Sequence, residues 1–147
     1  MATLDGVFSL RTPRDLREKL EADFERLVRA EPTSREAQYA AFDFFVCAEH
    51  LAEWLACSTG VSSKSQRAYP DGPLVAHIAN GAKHFSVTDT RHTTVRDTRQ
   101  IGAFDPSVFD SRVFDTARLV IELENGTVEP VLVIANRVLS HWCAQVP

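Results

Sequence analysis

The stretch "TSREAQYAAFDFFVCAEHLAEWLAC", Thr33 to Cys57, decides how the rest of the chain must be arranged. Thr33-Ser34-Arg35-Glu36 carries a hydroxyl able to cap a helix followed by an acid in its first turn, a start signal for a helix running to about Cys57. Within it Ala37, Ala41, Phe44, Phe45, Ala48, Leu51, Ala52 and Leu55 recur at helical spacing, and Tyr39, Phe42, Val46 and Trp54 widen the apolar arc. An arc that wide is buried from several sides, so this helix is expected at the centre of the molecule. Asp43, His50 and Glu53 fall near one line and are expected to form its solvated stripe.

On the N-terminal side, Thr12-Pro13-Arg14-Asp15 repeats the start signal, with proline at the first helical position and an acid at the third. Leu16, Leu20, Phe24, Leu27 and Val28 then mark an amphipathic helix ending near Ala30. On the other side, Ser58 to Pro70 is polar, with a glycine and four serines, and reads as a loop. Asp71-Gly72-Pro73 opens a third helix over "LVAHIANGAKHF", with Leu74, Ile78, Ala82 and Phe85 expected to face inward.

Beyond Phe85 the pattern becomes β-branched and alternating. "FSVTD" and "TTVRDTRQI" read as strands joined by a turn near His92, and "ARLVIELENGTVE" as a strand followed by an Asn125-Gly126 turn. Phe104-Asp105, Phe109-Asp110 and Phe114-Asp115 recur at a period of five, as in a twisting loop that returns a phenylalanine to the core. Val131, Ala135, Val138, Leu139 and Trp142 share one helical face, so a last helix is expected despite the β-branched run after Pro130. The sum is one α+β domain over residues 1–147: three N-terminal helices packed on a small, mostly antiparallel sheet, closed by a C-terminal helix.

The chain has 147 residues, 44% of them hydrophobic and 24% charged, the balance of a globular protein. Val131 to Ala135, its longest strongly apolar run, is far short of the ~20 residues that span a bilayer. With no secretory pattern at the start, a cytoplasmic protein without membrane contact is expected. Three cysteines argue against a disulfide framework. Cys47 and Cys57 on one helix would stand about 15 Å apart, beyond the ~7 Å Cα separation a disulfide allows, and both are expected in the core.

A net charge of −4 speaks against a dedicated nucleic-acid binder, yet Ser58 to Ile101 holds six Lys or Arg against three Asp, together with His77, His84 and His92. On a helix His77, Asn80 and His84 stack along one face with Lys83 at its edge. Two imidazoles, an amide and an ammonium can hold a phosphate and move protons, so these four are the candidate catalytic residues. The competing explanation is that Lys and His simply favour the negative end of a helix dipole. Arg91, His92, Arg96 and Arg99, with Arg137 and His141 on the last helix, form a candidate anion-binding set. Cys47, His50 and Glu53 have partial metal-ligand spacing, but no second pair completes a closed site, so neither a metal nor a cofactor is expected. Nucleotide-binding and hydrolase signatures are absent from the sequence.

Asn80-Gly81-Ala82-Lys83-His84 resembles the Asn-x-x-Lys-His tail of HEPN-type proteins, with Ala79 where that family places an arginine. The resemblance implies a metal-independent ribonuclease with Asn80 and His84 as catalytic residues, on an all-helical fold. The same segment, with the strands and terminal helix that follow, is similar to small bacterial and phage-encoded proteins, a likeness that implies an accessory or defence-related role and no particular activity. The residues favour a binding module over an enzyme, with a protein partner or a second copy as the expected ligand and nucleic acid kept open. The motive for self-association is apolar surface on the central and last helices, including Trp54 and Trp142.

Overall fold

The computed structural model describes residues 4–86, 88–101 and 118–147. Helix α1 spans Pro13–Arg29, α2 Arg35–Thr59, α3 Ser63–Gln66, α4 Gly72–His84 and α5 Val131–Gln145. Strands β1 (Val95–Ile101), β2 (Arg118–Leu123) and β3 (Val128–Pro130) form an antiparallel sheet in the order β1-β2-β3. The α+β class stands, with five helices and three strands among the described residues.

Both long helices start where their caps dictate. The Thr12 hydroxyl accepts the Asp15 N–H at 3.2 Å while the Asp15 carboxylate accepts the Thr12 N–H at 2.8 Å, and Pro13 supplies the first helical φ. Ser34 caps α2 through the Ala37 N–H. That helix runs two residues past Cys57 and stops where Gly60 adopts φ 76°, a left-handed conformation that glycine reaches without a Cβ penalty.

Helix α2 is the axis of the core. Ala40, Phe44, Ala48 and Leu51 are completely buried, and the helix packs against α1, α3, α4 and α5. From α5, Ile134, Ala135, Val138 and Trp142 complete this core, and β2 adds Ile121. The β-branched start of α5 is helical because Pro130 ends β3 and presets the entry, while Val131 turns inward at the first step. The β2–β3 hairpin turns at Asn125-Gly126, where Gly126 has φ 83° and the Asn125 side chain accepts the Thr127 N–H. Buried Asp23 is the one charged side chain in this interior among the described residues; Lys19 reaches it at 2.6 Å and Arg26 at 3.4 Å.

Several expectations need correction. The polar stretch after α2 contains the single turn α3, capped by Ser62 through the Ser65 N–H. The described residues of "FSVTD" are not a strand. Phe85 ends α4 at φ 60°, and Asp89 accepts the Arg91 N–H and guanidinium and the His92 N–H, so backbone groups are satisfied locally rather than by a neighbouring strand. That positive φ at the end of α4 also turns Phe85 outward, 99% exposed, instead of into the core. Trp142 is fully buried and Trp54 packs half-buried against the core, so neither supplies the expected surplus surface; exposed apolar side chains on these helices are Tyr39, Phe42, Leu132 and Val133. Cys47 is buried as expected, but Cys57, near the end of α2, is exposed. The Phe-Asp repeat lies outside the described residues. Among the described residues no helix is long and apolar enough to cross a membrane.

Candidate functional site

The packing of α4 on α2 leaves an open groove of about 800 Å³, reached also by Arg67 after α3 and by the 89–92 turn before β1. Its floor is apolar: Phe42 and Val46 come from α2, and Ala76, Ala79 and Ala82 from α4. Small side chains on that face of α4 keep the cleft from being filled by the helix itself. Its walls are polar, with Glu49, His50 and Glu53 from α2, Asn80, Lys83 and His84 from the last turns of α4, and Arg91 and His92 from the turn.

Charge inside the groove is organised around Arg67. Its guanidinium donates to Glu49 and, at 3.1 Å, to Glu53, so both carboxylates of the lining are held by one cation. Burial pushes the Glu49 carboxyl above its ordinary range, and the Arg67 hydrogen bond opposes that rise. At the rim Arg91 chelates Asp89, whose carboxyl is held well below the usual range by the guanidinium and the Arg91 N–H. The side chains of Lys83 and His84 make no hydrogen bond or ion pair among the described residues and are exposed. Their place at the C-terminal end of α4 suits the helix dipole, and it also leaves both side chains open to a ligand.

The candidate catalytic residues are divided by the fold. Asn80, Lys83 and His84 line the groove. His77 sits one turn earlier and is turned toward the sheet: its Nδ1 accepts the Val95 N–H at 3.0 Å, and its ring centroid lies 5.4 Å from that of His92. Burial, with the neighbouring His92 second, lowers the His77 pKa below 6.5. Accepting a hydrogen bond at Nδ1 places the proton of the neutral ring on Nε2.

The candidate anion-binding residues fall in three places. Arg91 and His92 border the groove. On β1, Arg96 reaches Glu122 at 3.4 Å, and Arg99 engages Asp97 and the same Glu122. Arg99 also lines a second cavity of about 290 Å³ between α2 and the sheet, whose walls include Phe45, Ile78 and Leu119. On α5, Arg137 holds Asp71 at 2.8 Å and Glu129 at 3.1 Å, tying the start of α4 to the end of β3. His141 stacks on Tyr69, centroids 4.0 Å apart and planes 10° from parallel, and burial lowers its pKa. These two serve the packing of α5 and do not reach the groove.

His50 and Glu53 line the groove, whereas Cys47 faces inward, its thiol 3.5 Å from the Leu16 carbonyl and its pKa pushed up to about 12 by burial. No group of three His, Cys, Asp or Glu among the described residues is placed to hold a metal. Sequence spacing gave no sign of the Arg67–Glu49–Glu53 cluster, because Arg67 lies 18 and 14 residues from its partners and no local period links a loop to a helix. Set against protein-family models, curated proteins and solved structures, the chain matches none.

Proposed function

We propose that the chain is a non-catalytic interaction module that takes an acidic segment of a protein partner into the α2–α4 groove. The observation carrying this reading is the pairing pattern of the lining: Arg67 engages both carboxylates, while Lys83 and His84, above an apolar floor, have no partner among the described residues. An incoming carboxylate meets the Lys83 ammonium and the His84 ring without breaking an ion pair among the described residues, and Phe42 and Val46 offer apolar surface to the residues beside it. An accessory role in a bacterium or phage, in the cytoplasm, belongs to the same reading, and a second copy of the chain is its simplest variant.

The test is titration of a fluorescein-labelled peptide of alternating Glu and Leu, followed by anisotropy at low and moderate salt. Saturable binding that weakens with salt is expected, with Lys83→Glu losing at least about tenfold in affinity through charge reversal. Absence of saturable binding, or equal affinity in the variant, would reject the groove as the binding surface. A second reading, metal-independent RNA cleavage, draws on the fact that His84 and His92 line one groove with Asn80 and Lys83. It requires cutting of RNA in EDTA that falls at least ~100-fold on His84→Ala.

A further inference from the structure

The contact between α4 and the sheet edge includes one hydrogen bond that depends on the state of a proton. His77, on α4, accepts the N–H of Val95, the first residue of β1, at 3.0 Å. Three residues before Val95 stands His92, its ring 5.4 Å from that of His77, and His92 and Arg91 together form the rim of the groove. The Glu124 N–H to Thr94 carbonyl bond, 3.0 Å, holds the start of β1 to the sheet, while its tie to α4 is a bond that exists only while the Nδ1 lone pair of His77 is available.

We propose that His77 is a positioning residue that works only when neutral: it pins the start of β1 to α4, holds Arg91 and His92 at the groove, and releases them when it takes a proton. Protonation converts Nδ1 from acceptor to donor, so it faces the Val95 N–H donor to donor and the bond is lost. The charged groups bearing on His77 are His92 from the turn, which disfavours its charged form, and Glu124 from the end of β2, which favours it. When His92 is charged as well, two like charges lie across a few ångströms and push the turn away from the helix. Burial of the ring favours the neutral form too, so the release falls below the ordinary histidine range. The sign follows: a histidine whose pKa is lowered by folding contributes fully above its unfolded value, and that contribution disappears as pH falls through the folded value.

The experiment is amide hydrogen exchange by NMR between pH 8 and pH 5, reading Val95 against Leu51 as a core control, on the parent, His77→Asn and His77→Ala. An asparagine Oδ1 sits near the place of the histidine Nδ1 and accepts without titrating. In the parent, Val95 protection should fall at least about tenfold as pH drops while Leu51 keeps its own. His77→Asn should hold Val95 protection flat over the same range, and His77→Ala should leave it low at every pH. Nitrogen shifts of the parent ring at pH 8 should report the proton on Nε2. The proposal is overturned if Val95 protection in the parent is independent of pH, if it falls only together with that of Leu51, or if His77→Asn shows the same fall.

Discussion

Replacing Arg67 by alanine removes the cation that two groove carboxylates share, and the structure sets the size of the effect. The Glu49 side chain is 16% exposed, Arg67 26% and Glu53 59%. Breaking a fully buried pair costs about 3–5 kcal/mol because a charge is stranded, whereas an exposed pair contributes less than ~1 kcal/mol. Glu49 lies between these limits in a groove open to water, and Glu53 is relieved by solvent, so Arg67→Ala should cost about 2 kcal/mol at neutral pH. For a chain of this length that is a fall of roughly 4–8 °C in Tm.

The pH dependence of this loss distinguishes a stranded carboxylate from lost packing. With Arg67 gone, burial acts on Glu49 unopposed and its folded pKa rises further above the ordinary 4.5. A carboxyl raised by folding contributes stability that is fully present below its unfolded pKa and is lost as pH rises through the folded one. Relative to the parent, the variant's deficit should therefore be largest near neutrality and shrink as pH falls toward 4.5. Urea denaturation at several pH values reads this directly, and Arg67→Ala/Glu49→Gln should recover most of the deficit at neutral pH by removing the stranded charge. A deficit below about 0.5 kcal/mol, one equal at all pH values, or a double variant no better than the single would refute the argument.

Three further sites, one in the core and two at glycines, respond in measurable ways. Trp142 is fully buried, with the Tyr69 ring edge-on to it at a centroid distance of 5.6 Å. Trp142→Ala should cost about 3–5 kcal/mol and Trp142→Phe only about 1–2 kcal/mol, checked by urea denaturation with Trp54 as the fluorescent probe. A Cβ at Gly72 would stand 1.9 Å from the Arg67 carbonyl oxygen, so Gly72→Ala must push the α3–α4 connection apart and should cost about 1–3 kcal/mol. At Gly60 nothing lies within 4 Å and the left-handed φ alone is at stake, so Gly60→Ala should cost about 1 kcal/mol in thermal unfolding.

The helical layer was legible in the sequence because its signals are local. Thr12 and Ser34 cap the helices that their neighbours announce, and the wide apolar arc of α2 makes it the central element. The Asn125-Gly126 turn and the buried face of α5 were equally plain, since a type of turn and a 3.6-residue period each need only a few adjacent residues. Phe85 shows where such reasoning stops. Its spacing places it with Leu74 and Ile78, but the helix ends beneath it and a backbone at φ 60° turns it outward.

The groove belongs to the tertiary structure alone. Periodicity reports which side of an element is apolar, and it carries no information about which other element covers that side. It could align His77 with His84 on one face of α4, but only the docking of β1 decided that His77 is spent on the Val95 amide while His84 lines the groove. It could mark Arg67 as one cation in a basic stretch, but only the approach of that loop to α2 gave it Glu49 and Glu53. Helices and turns arise from interactions a few residues long and are therefore readable from the chain alone; the site arises from contacts between segments many residues apart, whose geometry is set by packing.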